Sequence, residues 1–320
     1  MIYGKVYDSL DKLLHWIQIN GDAGFDPYDI KGMNDNMLRR MQAVSQLGII
    51  DKFYRYFVIE LMDAYVPRLL RKWYKVKPKI HATAQGLLFD TYLNLYSLRE
   101  DPDFAAQASH YRDWLIANRS KKYPEYGWGT PFSWRSGDVI YDIGEPFAVV
   151  NAWIGNAFYK NCQLHNTTED LEICKSICEF FVNRLHISRI SEDKVCFSYS
   201  AVKPTFINNA NLFVAEFLIR IGQETNNQDY IDLGTQATNY SLSTQLDNGV
   251  LPYFGPEEKK ALKYDSYHSG YEIRMLYAIS KLLGDDKIKG SAQQYFNFYT
   301  QHFLAGKRCL TKANKRYPVD

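Results

Sequence analysis

Residues 211–240 read NLFVAEFLIRIGQETNNQDYIDLGTQATNY, two helical patterns divided by a polar turn. The first part, residues 211–222, is apolar almost all round, which describes a helix buried on most sides. In the second part Tyr230, Ile231, Leu233, Ala237 and Tyr240 share one face at helical spacing, with Asn, Gln and Asp opposite. Between them, GQETNNQD is turn material. A buried helix followed by an amphipathic one is a helical hairpin.

The same pairing recurs along the chain. Apolar helices are expected at about 80–98, 147–163, 207–223 and 267–283, each followed by an amphipathic helix at about 102–118, 168–186, 227–245 and 288–304. Further helix is expected before residue 75, in DKLLHWIQ and in a long stretch from Asn36 to Tyr74. Apolar first helices paired with amphipathic second ones close naturally into a ring. The expected fold is therefore all-α, an α/α toroid of about five to six hairpins. It is read as a single domain over 1–320, with 1–78 completing the ring and 79–320 supplying the repeated hairpins.

The links between hairpins share an aromatic flavour: YGWGTPFSW, VCFSYS and GVLPYF. Loops are usually polar, so these are expected to form short β-like pieces folded over a central cavity. The first link carries Trp128, Trp134, Arg135, Asp138, Asp142 and Glu145. The second carries Phe197, Tyr199, Asn208, Asn209 and Asn211, and the third Asp247, Tyr253, Tyr264, Asp265 and His268. Flat aromatics beside amides, carboxylates and Arg suit a sugar, whose apolar face stacks while its hydroxyls take hydrogen bonds. The competing reading is that the aromatics simply plug the core.

Asp265 and His268 stand in DSYHSG, where a carboxylate near an imidazole makes an acid/base pair. Asp265 also stands where a helix N-cap belongs, as Asn208 and Asn209 do one repeat earlier. Capping accounts for those three but not for His268, one turn further in. Glu145 and Asp265 are a second candidate pair of carboxylates, for glycoside chemistry.

Composition excludes several classes. With Lys+Arg 38 against Asp+Glu 36 the chain has no global nucleic-acid footprint. Cys162, Cys174, Cys178, Cys196 and Cys309 lack CxxC spacing and a His cluster, so they read as free thiols in a reducing compartment, and no metal or cofactor is expected. There is no GxGxxG after a strand, no Walker A and no HExxH. Asp285 and Asp286 lack the acidic spacing of a prenyl-diphosphate site. The N-terminus has no signal-peptide pattern, so the glycosylation sequon at Asn166 is discounted and a cytoplasmic location is expected. The basic run RLLRKWYKVKPK, from Arg68 to Lys79, reads as a solvated helix end, or as a peripheral contact with an anionic membrane.

The links carry a family resemblance. WGTPFSWRS resembles the WGYPFDWQS element of an α/α-toroid family encoded in bacterial and archaeal surface-polysaccharide gene clusters. CFSYSAVKPTFINNANL, QLDNGVLPYFG and DSYHSGYEI resemble further elements of it, and the terminal KRYPVD resembles its YPxD element. The likeness spans roughly residues 79–320. It implies a toroid related to six-hairpin glycosidases and prenyltransferase-like rings, and a role in making or modifying cell-surface polysaccharide. This chain departs from the pattern at Ser133, where the family has Asp, and at Arg135, where it has Gln. Glu145 has no counterpart in the family.

The residues thus point to a carbohydrate-active protein that binds a saccharide or lipid-linked saccharide. Trp128, Trp134, Phe197, Tyr199 and Tyr253 are expected to stack on the sugar. Arg135, Asn209 and Asn211 are expected to fix its hydroxyls or an anionic group. Asp265 and His268 are the acid/base candidates for hydrolysis, elimination or epimerisation. The alternatives are a non-catalytic glycan-binding or scaffold protein and a polyprenyl-binding, cyclase-like toroid.

Overall fold

A computed structural model describes residues 2–306 and 308–310; the KRYPVD stretch lies outside the described residues. The chain divides into two compact units. One is the chain up to Asn118 together with Gly129–Glu145, and the other is Arg119–Trp128 together with the chain from Pro146 onward.

The first unit begins with α1 (Ile2–Asn20), which contains DKLLHWIQ. The helical stretch expected from Asn36 to Tyr74 is divided into α2 (Asp35–Arg40), α3 (Ile49–Tyr54), a π-helical run Arg55–Met62, α4 (Asp63–Tyr65) and α5 (Pro67–Trp73). The breaks have local causes. Gly48 is extended ahead of α3, and Pro67, which has no N–H, can only open a new helix. Buried Arg71 holds these pieces by ion pairs to Asp29 at 3.0 Å and Asp63 at 2.6 Å. A hairpin of α6 (Ala82–Arg99) and α7 (Pro102–Ala117) follows. The unit is completed by β1 (Trp134–Ser136) and β2 (Val139–Tyr141), antiparallel with Trp134 opposite Tyr141. Gly137 turns between them at φ +62°, a value that favours glycine.

The second unit holds three hairpins: α8 (Ala148–His165) with α9 (Thr168–Arg184), α10 (Asn208–Thr225) with α11 (Gln228–Ser243), and α12 (Ser266–Leu283) with α13 (Asp286–His302). Strands β3 (Ile187–Ser191) and β4 (Lys194–Phe197) pair in the second aromatic link. The third link forms only the bridge of Ile207 to Phe254 instead of a paired strand. A small β5–β6 pair, Leu304–Ala305 with Arg308–Cys309, follows α13.

The repeat is regular to the residue. The first helices α6, α8, α10 and α12 each have 18 residues, and each ends on a left-handed residue: Glu100, Asn166, Asn226 and Gly284. Asn166, the sequon asparagine, is thus a helix C-cap. Asp285 is the N-cap of α13, accepting the N–H groups of Lys287 and Ile288. The all-round apolar pattern of residues 211–222 has its expected consequence: α10 packs against both α8 and α12, and almost every residue from Asn208 to Gly222 is buried. Cys174 and Cys178 are buried core residues of α9, and all five cysteines are free thiols.

The fourth residue of every first helix is a buried polar side chain: Gln85, Asn151, Asn211 and Ser269. Each ties its helix to another segment. Gln85 donates to Asp22 at 2.6 Å. Asn151 accepts the backbone N–H of Trp128 at 2.8 Å, and Asn211 accepts that of Phe197 at 2.9 Å. Ser269 donates its hydroxyl to the Tyr295 oxygen across 2.7 Å. The bonds of Asn151 and Asn211 dock the first and second aromatic links onto their helices and satisfy the buried N–H groups of Trp128 and Phe197.

Candidate functional site

The start of each first helix leaves N–H groups without intrahelical partners. In the second unit the aromatic links supply the acceptors. The carbonyl of Tyr199 takes the N–H of Ala148, the first residue of α8, at 2.9 Å. The carbonyl of Tyr253 takes that of Asn208, the first residue of α10, at 3.1 Å. Asn208 and Asn209 therefore lie just inside α10 and do not cap it; Ile207 occupies the cap position.

At α12 the device differs. Asp265 is the N-cap, and its Oδ1 accepts the backbone N–H of His268 at 2.9 Å. The same carboxylate takes Nδ1 of the His268 ring, at 2.7 Å to Oδ2 and 2.9 Å to Oδ1. Burial alone raises the Asp265 pKa, but the imidazole and the backbone N–H outweigh it and hold the carboxyl below its usual value. An ionised Asp265 fixes the proton on Nδ1 and leaves Nε2 with its lone pair. Among the described residues Nε2 has no hydrogen-bond partner, and the side chain keeps 19% of its surface exposed.

Aromatic rings flank this imidazole. Tyr253 meets it edge-on with centroids 4.7 Å apart, and Tyr267 does so at 5.3 Å. Lys263 places its ammonium 4.5 Å above the Tyr253 ring. From Tyr267 the aromatic surface continues to Tyr271 at 5.0 Å and on to Trp153 of α8 at 5.3 Å. Beyond it, half-exposed Arg274 grips buried Glu216 of α10 through two bonds of 3.1 and 2.7 Å. Tyr267, Tyr271, Trp153 and Arg274 are absent from the sequence-derived site. The spacing of Tyr267, Tyr271 and Arg274, four and then three residues apart, is the signal that places them on one face of α12.

The structure brings Asp265, His268 and Tyr253 into direct contact. The other sequence-derived candidates make different contacts. Tyr199 is half-buried, its ring 5.1 Å from Phe147. Asn209 is buried, and its side-chain carbonyl has no partner among the described residues. Asn211 spends its side chain on Phe197, the Ala237 carbonyl and the Ser241 hydroxyl, so its amide is structural. Phe197 is fully buried, and Trp128 is buried with its ring stacked 5.9 Å from Phe158. These two are core residues, because the links pack their rings inward to anchor the chain. Trp134 and Arg135 lie on β1 of the first unit. Trp134 packs between Tyr28 and Tyr141, and Arg135 donates to the carbonyl of Gly137. Glu145 is buried in that same unit.

Among the described residues, no group of three or more His, Cys, Asp or Glu side chains is placed to hold a metal ion, and no helix is long and apolar enough to cross a membrane. Chemically, the arrangement supplies a carboxylate-oriented imidazole beside flat, partly exposed rings. That combination can take a proton from a ligand stacked on the rings.

No protein-family model matches the chain, and no curated protein matches it in sequence. Solved structures do. Cellobiose 2-epimerase from Bacillus thermoamylovorans is similar at a TM-score of 0.58 and 11% identity, over 75% of this chain and 65% of that one. D-mannose isomerase gives 0.55 and 12%, over 74% and 65%. A GH76 α-mannanase from Bacteroides thetaiotaomicron gives 0.58 and 12%, over 88% and 74%. The chain thus spans 65% of the length of the epimerase and of the isomerase. At these identities the likeness is one of fold, and the fold is an α/α toroid.

Proposed function

We propose that this protein is a carbohydrate-active enzyme that moves a proton on a bound saccharide, with His268 as the base and Asp265 as the group that orients it. The observation that carries this reading is the His268 ring itself. Its Nδ1 is held at 2.7 Å by Asp265, its Nε2 is unbonded among the described residues, and two tyrosines flank it. Tyr253 and Tyr267 offer the faces on which a pyranose stacks.

Proton transfer at carbon, as in epimerisation, isomerisation or elimination, fits this centre better than glycoside hydrolysis. Hydrolysis ordinarily uses two carboxylates, one on each side of the bond. Here the one carboxylate at the imidazole, Asp265, is committed to the ring and to the helix cap. The activities of the similar structures, an epimerase, an isomerase, a polysaccharide lyase and a mannosidase, support a saccharide as the ligand class. The resemblance of the three links to proteins of surface-polysaccharide gene clusters supports a place in making or modifying such a glycan.

Incubation with candidate mono- and oligosaccharides in D2O tests this. The expected result is deuterium entering the sugar at carbon, seen by NMR and mass spectrometry, and lost in His268→Ala. A saccharide that binds but is recovered unlabelled and unchanged would replace the enzyme reading with that of a glycan-binding protein.

A further inference from the structure

The first unit carries an apolar surface that its own fold leaves uncovered. On α3, Ile49 and Ile50 are 86% and 82% exposed, and on α5 Trp73 is 70% exposed. Phe53 and Leu69 are exposed beside them. The two helices are neighbours, because the hydroxyl of Tyr54 at the end of α3 meets that of Tyr74 just after α5. Leu70 and Arg71 of α5 are buried, as is Ile59 in the π-helical run that continues α3, and Asp51 of α3 is held by Arg39 and Arg40. Apolar side chains on this scale, on a folded and anchored surface, mark a contact site.

The charges around the patch identify the contact. Its acids are all consumed by internal ion pairs: Asp51 with Arg39 and Arg40, Glu60 with Arg55, and Asp63 with Arg71. Its cations are not. Among the described residues the side chains of Arg68, Lys72, Lys75 and Lys77 have no hydrogen-bond or ion-pair partner, and all four residues are exposed. Leu69, Lys72 and Trp73 lie three and four residues apart on α5, so apolar and cationic side chains share one face. A second copy of the chain fits this face poorly, since a two-fold contact would set these unpaired cations against each other with no free acid between them.

We propose that α3, α5 and the basic run after α5 form a surface that docks on an anionic phospholipid bilayer. Ile49, Ile50 and Phe53 enter the acyl boundary, Trp73 sits at headgroup level, and Arg68, Lys72, Lys75 and Lys77 face the lipid phosphates. The helices lie on the membrane and do not cross it, as no described helix has the length and apolarity to span it.

Vesicle co-sedimentation of the full chain tests this, using phosphatidylcholine alone and a phosphatidylcholine–phosphatidylglycerol mixture. The chain is expected to bind only the anionic vesicles, and less as salt rises. Lys72→Ser with Lys75→Ser should weaken partitioning about thirtyfold. Ile49→Ser with Ile50→Ser should abolish binding with an unchanged circular-dichroism spectrum, because both side chains are exposed. Equal binding to both vesicle types, or no binding to either, overturns the proposal. So does a lipid-free dimer that the Ile49→Ser, Ile50→Ser variant dissociates.

Discussion

One carboxylate, that of Asp265, holds both the backbone N–H of His268 at 2.9 Å and Nδ1 of the same residue's ring at 2.7 Å. Start of helix and orientation of imidazole are therefore one interaction. The two roles separate by substitution. His268→Ala is expected to lower turnover by roughly 100- to 10,000-fold while thermal melting stays near that of the parent. Asp265→Asn should keep much of the cap but lose the fixed tautomer, so turnover falls with a modest change in stability. Unchanged steady-state kinetics in His268→Ala would remove it from the chemistry.

The pH dependence of stability contains two opposed contributions. Asp265 has a lowered folded pKa, so its contribution is present above the ordinary carboxylate range and is lost as pH falls through the folded value. Glu272 is the reverse: burial lifts its pKa well up, and Tyr295 donates to it at 2.7 Å without cancelling that effect. The folded chain keeps a proton there that the unfolded chain loses, so stability falls as pH rises above the ordinary range. Melting of Glu272→Gln against the parent across pH 5 to 8 should show a gap favouring the variant more at high pH, by at most about 1.4 kcal/mol per pH unit. A gap independent of pH would mean that Glu272 is ionised in the fold.

Asn211 and Asn209 are two residues apart in sequence and opposite in use. Asn211→Ala strands the N–H of Phe197, so chemical denaturation should register a loss of about 1–3 kcal/mol. Asn209→Ala removes a carbonyl with no partner among the described residues, and should leave stability nearly unchanged. Equal destabilisation by the two would assign both to the frame.

Gly155 lies where α8 faces α10. A Cβ there would stand 2.5 Å from Phe217 Cζ and 3.2 Å from Ile177 Cδ1, and both neighbours are fully buried. Gly155→Ala is expected to cost roughly 1–3 kcal/mol by overpacking, read as a lower urea midpoint. An unchanged midpoint would show that the α8–α10 contact has slack.

Much of this architecture is local and so was readable in the residues. The 3.6-residue periodicity at 211–240 dictates a buried helix and an amphipathic partner. Asp265 ahead of Ser266, and Asp285 ahead of Asp286, mark helix starts because a short acidic side chain satisfies free N–H groups. The site was legible where its members are close in sequence, as Asp265 and His268 are. Between Asn36 and Tyr74 the helix-forming composition announced helix, while the division into separate pieces at Gly48 and Pro67 came with the structure.

What the sequence by itself determined, then, is the hairpin repeat, the helix caps and the Asp265–His268 pair, since each depends on residues within a few positions of one another. Only the tertiary structure decided which polar and aromatic residues are spent on the frame. An asparagine amide suits a sugar hydroxyl and a distant backbone carbonyl equally well, and Asn211 found its partners at Phe197, Ala237 and Ser241. A tryptophan stacks as readily on Phe158 as on a pyranose, and Trp128 took Phe158. Composition is the same in both outcomes. The partner is set by long-range packing, which no local pattern encodes.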